Sequence, residues 1–218
     1  MKILSFDSSY NSCSVSLLYK KKIFYYQKKC KRQHSKILFP MIKKILFVNK
    51  IKLKKINIIA FCNGPGNFTG TRISTNIAQG LSIGSNIPLL QISSLKIIAQ
   101  EAYNNFLYEK NFFIIMKMNK NRYYYSKYLI KKNFLKKKKK FLSTNKKILL
   151  QHLNKIKKRC VFAGNFNPKI LKSLKFKNFF IKIKFSHAKY IIPLALKDIK
   201  LKKTLVPELV FTKYFHKF

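Results

Sequence analysis

The residues best suited to chemistry in this chain form a glycine-rich loop at 63–72, with the sequence NGPGNFTGTR. A short apolar run at 56–61 has the pattern of a strand, and Ile73, Ile77 and Leu81 follow the loop at the spacing of a helix. Backbone N–H groups at the start of a helix attract anions, because they have no partner inside the helix and carry the positive end of its dipole. The loop therefore indicates either a phosphate site or a tight turn that leads into a helix.

The spacing of the glycines excludes two well-known phosphate-binding motifs. A Walker A loop requires Lys after its last Gly, but Thr71 follows Gly70, and a dinucleotide-binding fingerprint requires Gly where Thr69 stands. In the alternative interpretation, the glycines only allow positive φ and Thr69 caps the helix. Arg72 lies in the expected first helical turn, where the helix dipole disfavours a cation, so we predict a carboxylate or phosphate partner for this side chain.

The formal charge of +43 comes from 48 basic and five acidic residues and favours polyanionic partners. Only four of the basic residues are Arg. Lys, Asn, Phe and Ile are encoded by A+T-rich codons, so base composition accounts for much of the charge, and a nucleic-acid site more typically combines Arg with stacking aromatic rings. We therefore interpret most of the lysines as solvated surface, while expecting a salt-dependent attraction for polyanions such as tRNA.

The first half of the chain predicts the element order β-β-β-α-β-α-β. We expect strands at 3–6, 13–17, 23–27, 56–61 and 88–93, and helices at 34–48 and 73–84. The second strand alternates apolar residues with serines, so one of its faces should meet solvent. Pro40 should kink the first helix or lie near its first turn. This is the order of an actin-like or ribonuclease H-like lobe, which predicts an α/β fold with mixed sheets flanked by helices.

The second half of the chain has weaker patterns. We expect strands at 112–116 and 123–130, joined across 119–121, a solvated lysine loop at 136–140, a helix at 146–158, a strand at 160–163 and a helix at 191–200. These predict two domains, an N-terminal lobe over 1–104 and a degenerate C-terminal lobe over 105–218. The cysteines Cys13, Cys30, Cys62 and Cys160 include no C-x-x-C pair, so we expect them to be reduced and mostly buried, with neither a zinc site nor a disulfide set.

Several of these features together resemble the TsaB family, also called YeaZ. They are Asp7 after the first strand, the serine-rich second strand, His34 at the start of the first helix, the loop at 63–72 and the sequence AQGL at 78–81. The resemblance is specific over the first lobe and loose beyond it, where residues 207–211 only loosely match the family's closing strand. It implies a two-lobed actin-like fold and a non-catalytic partner of TsaD, which makes threonylcarbamoyladenosine next to the anticodon of tRNAs that read codons beginning with A.

The resemblance also implies partners and the absence of a metal. It implies a complex with TsaD and TsaE that reaches tRNA indirectly, in which TsaD carries the metal and transfers the threonylcarbamoyl group. TsaD-like relatives place a pair of metal-binding histidines after the strand at 88–93, and Ser94 and Ile98 occupy those places here. His34, which suits a capping or surface role, has no second histidine close in sequence. We therefore expect no metal, no cofactor and no catalytic residue.

Asp7 is the acidic residue best placed for nucleotide chemistry. Actin-like ATPases hold Mg²⁺-ATP with carboxylates from two strand ends, because this hard cation prefers oxygen ligands. The strand at 112–116 leads into Lys117, Met118 and Asn119 rather than a carboxylate, so Asp7 lacks a partner and is expected to accept hydrogen bonds from backbone donors. The candidate remnant of a phosphate loop comprises Asp7, Gly64, Gly66, Thr69, Gly70 and Arg72.

The two helices of the first lobe carry more apolar surface than one core contact needs. The helix at 34–48 is apolar over a stripe wider than the usual width of about 100°, and Gly80 and Gly84 have the spacing that permits close helix approach. The resemblance implies that these helices pair with TsaD, and a homodimer could use the same surface. The predicted partner surface comprises Ile37, Leu38, Met41, Ile45, Ile73, Ile77, Gly80, Leu81 and Gly84. The alternative is a broad core helix in a phenylalanine-rich protein.

Three other functions stay open on the sequence alone. A divergent actin-like ATPase would turn over Mg-ATP. A peptidase would need a metal or an activated nucleophile, and Ser, Cys and His show no spacing that suggests either. A charge-driven RNA-binding protein would bind tRNA without TsaD and lose it steeply with salt. No apolar run reaches the length of about 18 residues typical of a membrane span, so we expect a cytoplasmic protein without a membrane anchor.

Overall fold

A computed structural model describes residues 1–30, 32–118, 122–131, 134–139, 143–156, 158–171 and 179–201. The chain divides into two compact units. The first contains residues 1–97 and the described residues of 186–201, and the second contains the described residues of 98–185. The expected single boundary near residue 104 therefore differs from the division in the structure. The end of the described chain returns to the first unit because its last helix is amphipathic and buries Ile191, Leu194 and Ala195 there.

The strands are β1 (Ile3–Tyr10), β2 (Ser12–Tyr19), β3 (Lys22–Lys29), β4 (Ile58–Cys62), β5 (Leu89–Ile92), β6 (Asn111–Lys117), β7 (Arg122–Lys131), β8 (Phe134–Lys139), β9 (Ser143–Asn145), β10 (Val161–Gly164) and β11 (Phe179–Lys182). The α-helices are α1 (His34–Val48), α2 (Phe68–Ile83), α3 (Ser94–Asn105), α4 (Lys146–Asn154) and α5 (Ile191–Lys200). Short 3₁₀ helices cover Leu53–Lys55, Pro168–Leu171 and Ala188–Tyr190.

The first unit contains a five-stranded mixed sheet in the order β3-β2-β1-β4-β5. The first three strands pair antiparallel, whereas β1, β4 and β5 pair parallel. Helix α2 follows β4, and α3 follows β5. The predicted strands and helices of the first lobe are confirmed, with bounds shifted by a few residues, and α3 is an element that the sequence patterns did not indicate.

One face of this sheet packs against α1 and α2. Leu4 and Phe6 of β1 and Val15 of β2 join Leu38, Ile42 and Ile45 of α1 in one core. Alternate strand residues point to the opposite face, where the serines of β2 were expected to meet solvent. That expectation is wrong, because Ser16 shares a hydrogen bond with Ser5 and Ser14 accepts the N–H of Ala188. These hydroxyl partners let the serine face be buried under the segment that returns to the first unit.

The second unit contains a six-stranded sheet in the order β11-β10-β6-β7-β8, with β9 also on β7. The expected hairpin is confirmed, since β6 and β7 pair antiparallel, and its turn at 119–121 lies outside the described residues. The core stacks Phe113 on Tyr125 with ring centroids 5.3 Å apart. The expected lysine loop at 136–140 is wrong for its described part, which belongs to β8 and pairs with β7. Residues 207–211 also lie outside the described part of the chain.

Candidate functional site

The glycine-rich loop is bonded to the end of β1. The N–H of Asn67 donates to the carbonyl of Ser9 at 2.6 Å, and the hydroxyl of Ser8 donates to the carbonyl of Gly70 at 2.7 Å. The side chain of Asn67, not that of Thr69, caps α2, because its Oδ1 accepts the N–H of Thr69 at 3.1 Å. The expected Thr69 cap is therefore wrong, and the helix begins at Phe68, five residues earlier than predicted.

The three glycines of the loop have steric reasons to be glycine. Gly64 has φ of +87°, in the region that other residues rarely adopt. A Cβ added to Gly66 would lie 2.3 Å from the carbonyl oxygen of Ser9, and one added to Gly70 would lie 1.9 Å from that of Ser8. Close packing on β1 therefore explains Gly66 and Gly70, and the positive φ explains Gly64, without a ligand.

Asp7 is buried within β1, next to an irregularity in the pairing with β2, rather than at the end of the strand. Its carboxylate accepts the N–H of Ser9 at 2.7 Å and the hydroxyl of Ser186. Burial raises the pKa of Asp7, and these hydrogen bonds oppose that shift. The geometry agrees with the expected role of Asp7 as an acceptor for backbone donors.

Arg72 is exposed and is the fifth residue of α2, one position beyond the first turn in which it was expected. Its guanidinium carbon is 3.9 Å from the centroid of the Phe68 ring, one turn earlier in the same helix. A cation over an aromatic face is attracted by the ring quadrupole. The guanidinium of Arg72 therefore contacts the aromatic ring of Phe68. The partner predicted from the sequence was a carboxylate or a phosphate.

Helices α1 and α2 contact each other above the core of the first unit, and their predicted surface residues divide into two groups. Leu38 and Ile45 are fully buried in the core, which corrects their placement on a partner surface. The remaining seven lie along one flank of each helix, partly buried or exposed, at helical spacings of three or four residues. We call this set the helix-pair surface: Ile37, Met41, Ile73, Ile77, Gly80, Leu81 and Gly84.

The helix-pair surface is open around its central glycine. A Cβ added to Gly80 would meet nothing within 4 Å. Val48 extends the flank of α1 seven residues beyond Met41 and is 55% exposed. Val48 was not among the predicted surface residues, although its helical spacing from Ile37 and Met41 could have identified it. Phe47, which is 84% exposed, lies on another side of the same helix.

His34 was expected to cap the first helix or to make a surface hydrogen bond. The structure buries it at the first position of α1, where Gln33 is the N-cap residue. Its Nδ1 lies 3.9 Å from the Sγ of Cys13. Burial lowers the pKa of His34 and raises the pKa of the Cys13 thiol well above its usual range. A buried, protonated thiol is a poor nucleophile, so this pair, which the sequence spacing did not reveal, is not arranged for covalent catalysis.

All four cysteines are buried, as expected. Within the described ranges, no helix is both long and apolar enough to cross a membrane.

Comparison with known proteins gives consistent matches along nearly the whole chain. The family model described as TsaD, tRNA N6-adenosine threonylcarbamoyltransferase, matches residues 23–205. The tRNA threonylcarbamoyladenosine biosynthesis protein TsaB of Buchnera aphidicola subsp. Baizongia pistaciae is 37% identical over 213 residues, covering 95% of both chains. TsaB of Buchnera aphidicola subsp. Schizaphis graminum is 38% identical, covering 88% of this chain and 91% of that protein. TsaB of Escherichia coli is 38% identical over 103 residues, covering 47% of this chain and 45% of that protein.

Two solved structures have the same fold. YeaZ from Pseudomonas aeruginosa has a TM-score of 0.85 and 22% identity, covering 98% of this chain and 99% of that chain. A second structure, described as an uncharacterized protein with similarity to peptidase YEAZ from Pseudomonas aeruginosa, has a TM-score of 0.86 and 22% identity, covering 99% of both chains. Together with the two mixed sheets, these matches confirm the predicted actin-like α/β fold.

Proposed function

The chain belongs to the TsaB family of tRNA threonylcarbamoyladenosine biosynthesis proteins, and from this we propose that it is a non-catalytic scaffold and activator of TsaD. In this proposal TsaD transfers the threonylcarbamoyl group to the adenosine next to the anticodon of tRNAs that read codons beginning with A. TsaE joins the same complex, and the chain reaches tRNA through its partners.

The helix-pair surface is the observation that supports this proposal most. Partly exposed apolar side chains line one flank of α1 and one flank of α2, and the two helices contact each other. Exposed Gly80 and Gly84 lie beside Ile77 and Leu81, which would let another helix approach closely. TsaD is the expected occupant, because the family model that matches this chain is that of TsaD itself. Two chains of one fold can dock through equivalent helices, and a homodimer through this surface is expected where TsaD is absent.

Three of the acidic residues in the described chain, Asp7, Asp198 and Glu109, favour a role without nucleotide hydrolysis. Asp7 is buried and bonded to Ser9 and Ser186. Asp198 pairs with Lys96 at 2.7 Å, and Glu109 pairs with Arg159 at 2.8 Å. A Mg²⁺-ATP site needs accessible oxygen ligands from more than one carboxylate. We therefore favour the scaffold function over that of a divergent ATPase. Detectable Mg-ATP turnover by the isolated chain would favour the ATPase instead.

One of the Pseudomonas structures is described as similar to a peptidase, so a peptidase function was also considered. Peptidase chemistry needs an accessible nucleophile activated by a base. The Cys13–His34 pair has suitable residue types, but both side chains are buried and the pKa of the thiol is raised. This pair therefore supports a structural role instead.

Reconstituted tRNA modification tests the proposal. TsaD from the same source, supplied with TsaE and the threonylcarbamoyl donor, should modify tRNA only when this chain is added. Val48→Asp and Ile77→Asp should lower that activity, because each buries a charge in the docked interface. Phe47→Asp is the matched control, since it makes the same kind of change on α1 outside the helix-pair surface. Equal activity with and without the chain would overturn the proposal.

Charge-driven RNA binding is the second candidate, and the observation that favours it is the net charge of +43. It predicts that the isolated chain binds tRNA and loses it steeply as salt rises. Modification that depends on the chain at low salt, but is unchanged by Val48→Asp and Ile77→Asp, would favour this candidate over the scaffold. Arg72→Ala addresses the loop, because modification that falls while the fold is retained would indicate that Arg72 contacts a partner or tRNA.

A further inference from the structure

Three potential metal ligands lie together at the start of α1. They are Cys13 on β2, Cys30 just after β3 and His34 at the first position of the helix. Their ligand atoms all lie within 4.8 Å of one another, and the Sγ of Cys13 is 3.9 Å from the Nδ1 of His34. Each side chain is no more than 2% exposed. No zinc site was expected because the sequence has no C-x-x-C pair, whereas these three residues come from separate parts of the chain.

The backbone holds the three residues in place. The N–H of Cys30 donates to the carbonyl of Asn11 at 2.9 Å, which fixes Cys30 beside the start of β2. A Cβ added to Gly70 of α2 would lie 3.1 Å from the Cε1 of His34, so the imidazole ring is backed closely by a second helix. Sites held by rigid elements bind metals with little reorganisation.

The separations suit a small thiophilic ion. Zinc binds sulfur at about 2.3 Å and nitrogen at about 2.1 Å in tetrahedral geometry, which places S and N ligands about 3.6 Å apart and two S ligands about 3.8 Å apart. The distance of 3.9 Å between Cys13 Sγ and His34 Nδ1 is close to that value. The remaining separations, at most 4.8 Å, need a contraction of about 1.2 Å or less.

Charge and ligand type select the ion. Two thiolates and one neutral imidazole around a divalent ion give a net charge of zero, which is the least costly charge to bury. Thiolate and imidazole ligands suit zinc, whereas magnesium and calcium prefer oxygen. The same ligands would give a monovalent copper ion a net negative charge in this buried site.

We propose that Cys13, Cys30 and His34 bind one zinc ion, which links the start of α1 to β2. The two thiols release two protons when the ion binds, and no ligand is oxidised or reduced. The link would join Cys30, just after β3, to β2 and to the start of α1 without a disulfide. This inference does not depend on the choice of TsaD as partner, because it concerns the chain alone.

Metal titration of the full-length chain tests the site. The chain is purified under reducing conditions, stripped with a chelator and titrated with Zn²⁺ in competition with a chromophoric chelator. We expect about one tightly bound zinc per chain. Cys30→Ser and His34→Gln should each weaken binding by more than about 100-fold, beyond the usual effect of losing an outer hydrogen-bond partner. Cys160→Ser is the matched control, since it removes a buried thiol of the second unit, and it should leave zinc affinity unchanged.

X-ray absorption of the wild-type chain keeps the test valid where a variant does not fold. The proposal predicts a zinc shell with two sulfurs at about 2.3 Å and nitrogen at about 2.0 Å. A shell of oxygen and nitrogen alone, no tight zinc binding by the folded chain, or equal affinity in wild type and both ligand variants would each overturn the site. A copper ion bound while zinc is refused would also overturn it.

Discussion

Replacing Gly80 with Leu separates the stability of the isolated chain from its affinity for a partner. Gly80 is exposed in α2, and a Cβ at this position would meet nothing within 4 Å. In a helix Gly is less favourable than Leu by about 0.7 kcal/mol, so Gly80→Leu should stabilise the isolated chain by about that amount. For a chain of this size the melting temperature should rise by about 2 °C.

The same substitution should weaken the complex with TsaD. A Leu side chain at a point of close helix approach overpacks the interface, which costs about 1–3 kcal/mol. That cost corresponds to a Kd that rises between about 5-fold and about 150-fold. Denaturant unfolding of the isolated chain and calorimetric titration with TsaD measure the two effects separately.

Asn104→Leu is the matched control for Gly80→Leu. Asn104→Leu adds the same side chain at an exposed position of α3, outside the helix-pair surface, and should leave the affinity for TsaD unchanged. If Gly80→Leu stabilises the chain and leaves the Kd unchanged, Gly80 is not in the interface. If Gly80→Leu destabilises the isolated chain, the space around Gly80 is too small for a Leu side chain.

Three further predictions concern the first unit. Gly70→Ala places a Cβ 1.9 Å from the carbonyl oxygen of Ser8 and should cost about 1–3 kcal/mol in urea unfolding; unchanged stability would mean that the loop is not packed on β1. Asp198→Asn removes the charge opposite Lys96 in a largely buried pair and should cost about 1–3 kcal/mol in the same assay, whereas no loss would show that the pair is solvated. Burial lowers the pKa of His187 below its usual 6.5, so the unfolded state takes up the proton first and the free energy of unfolding falls as pH drops below that value. His187→Gln should reduce the loss measured between about pH 7.5 and about pH 5.5, and an equal loss in both proteins would refute the assignment.

The order of the elements in the first lobe could be predicted because each has a local signal. The helical spacing of Ile37, Met41 and Ile45 located α1 with its observed bounds. The apolar run at 56–61 located β4 and the glycines located the turn after it. The start of α2 was placed too late, because the capping side chain of Asn67 competes with that of Thr69, which also has a capping residue type.

What could not be predicted depends on contacts between distant parts of the chain. The serine face of β1 and β2 is buried because Ala188, more than 170 residues later in the chain, supplies hydrogen-bond partners to Ser5 and Ser14. Leu38 and Ile45 are aliphatic residues of the same helix as Ile37. Which of them is buried depends on which side of the helix faces the sheet. The cluster of Cys13, Cys30 and His34 forms where three elements meet, so no spacing rule indicates it.

Light scattering during size-exclusion chromatography of this chain mixed with TsaD from the same source measures whether the two proteins form a complex. Salt of about 0.3 M should be present, because it screens the non-specific attraction of a chain with a charge of +43. We expect a one-to-one complex that survives this salt and is lost with Val48→Asp but not with Phe47→Asp. Two separate peaks for the wild-type proteins would contradict it.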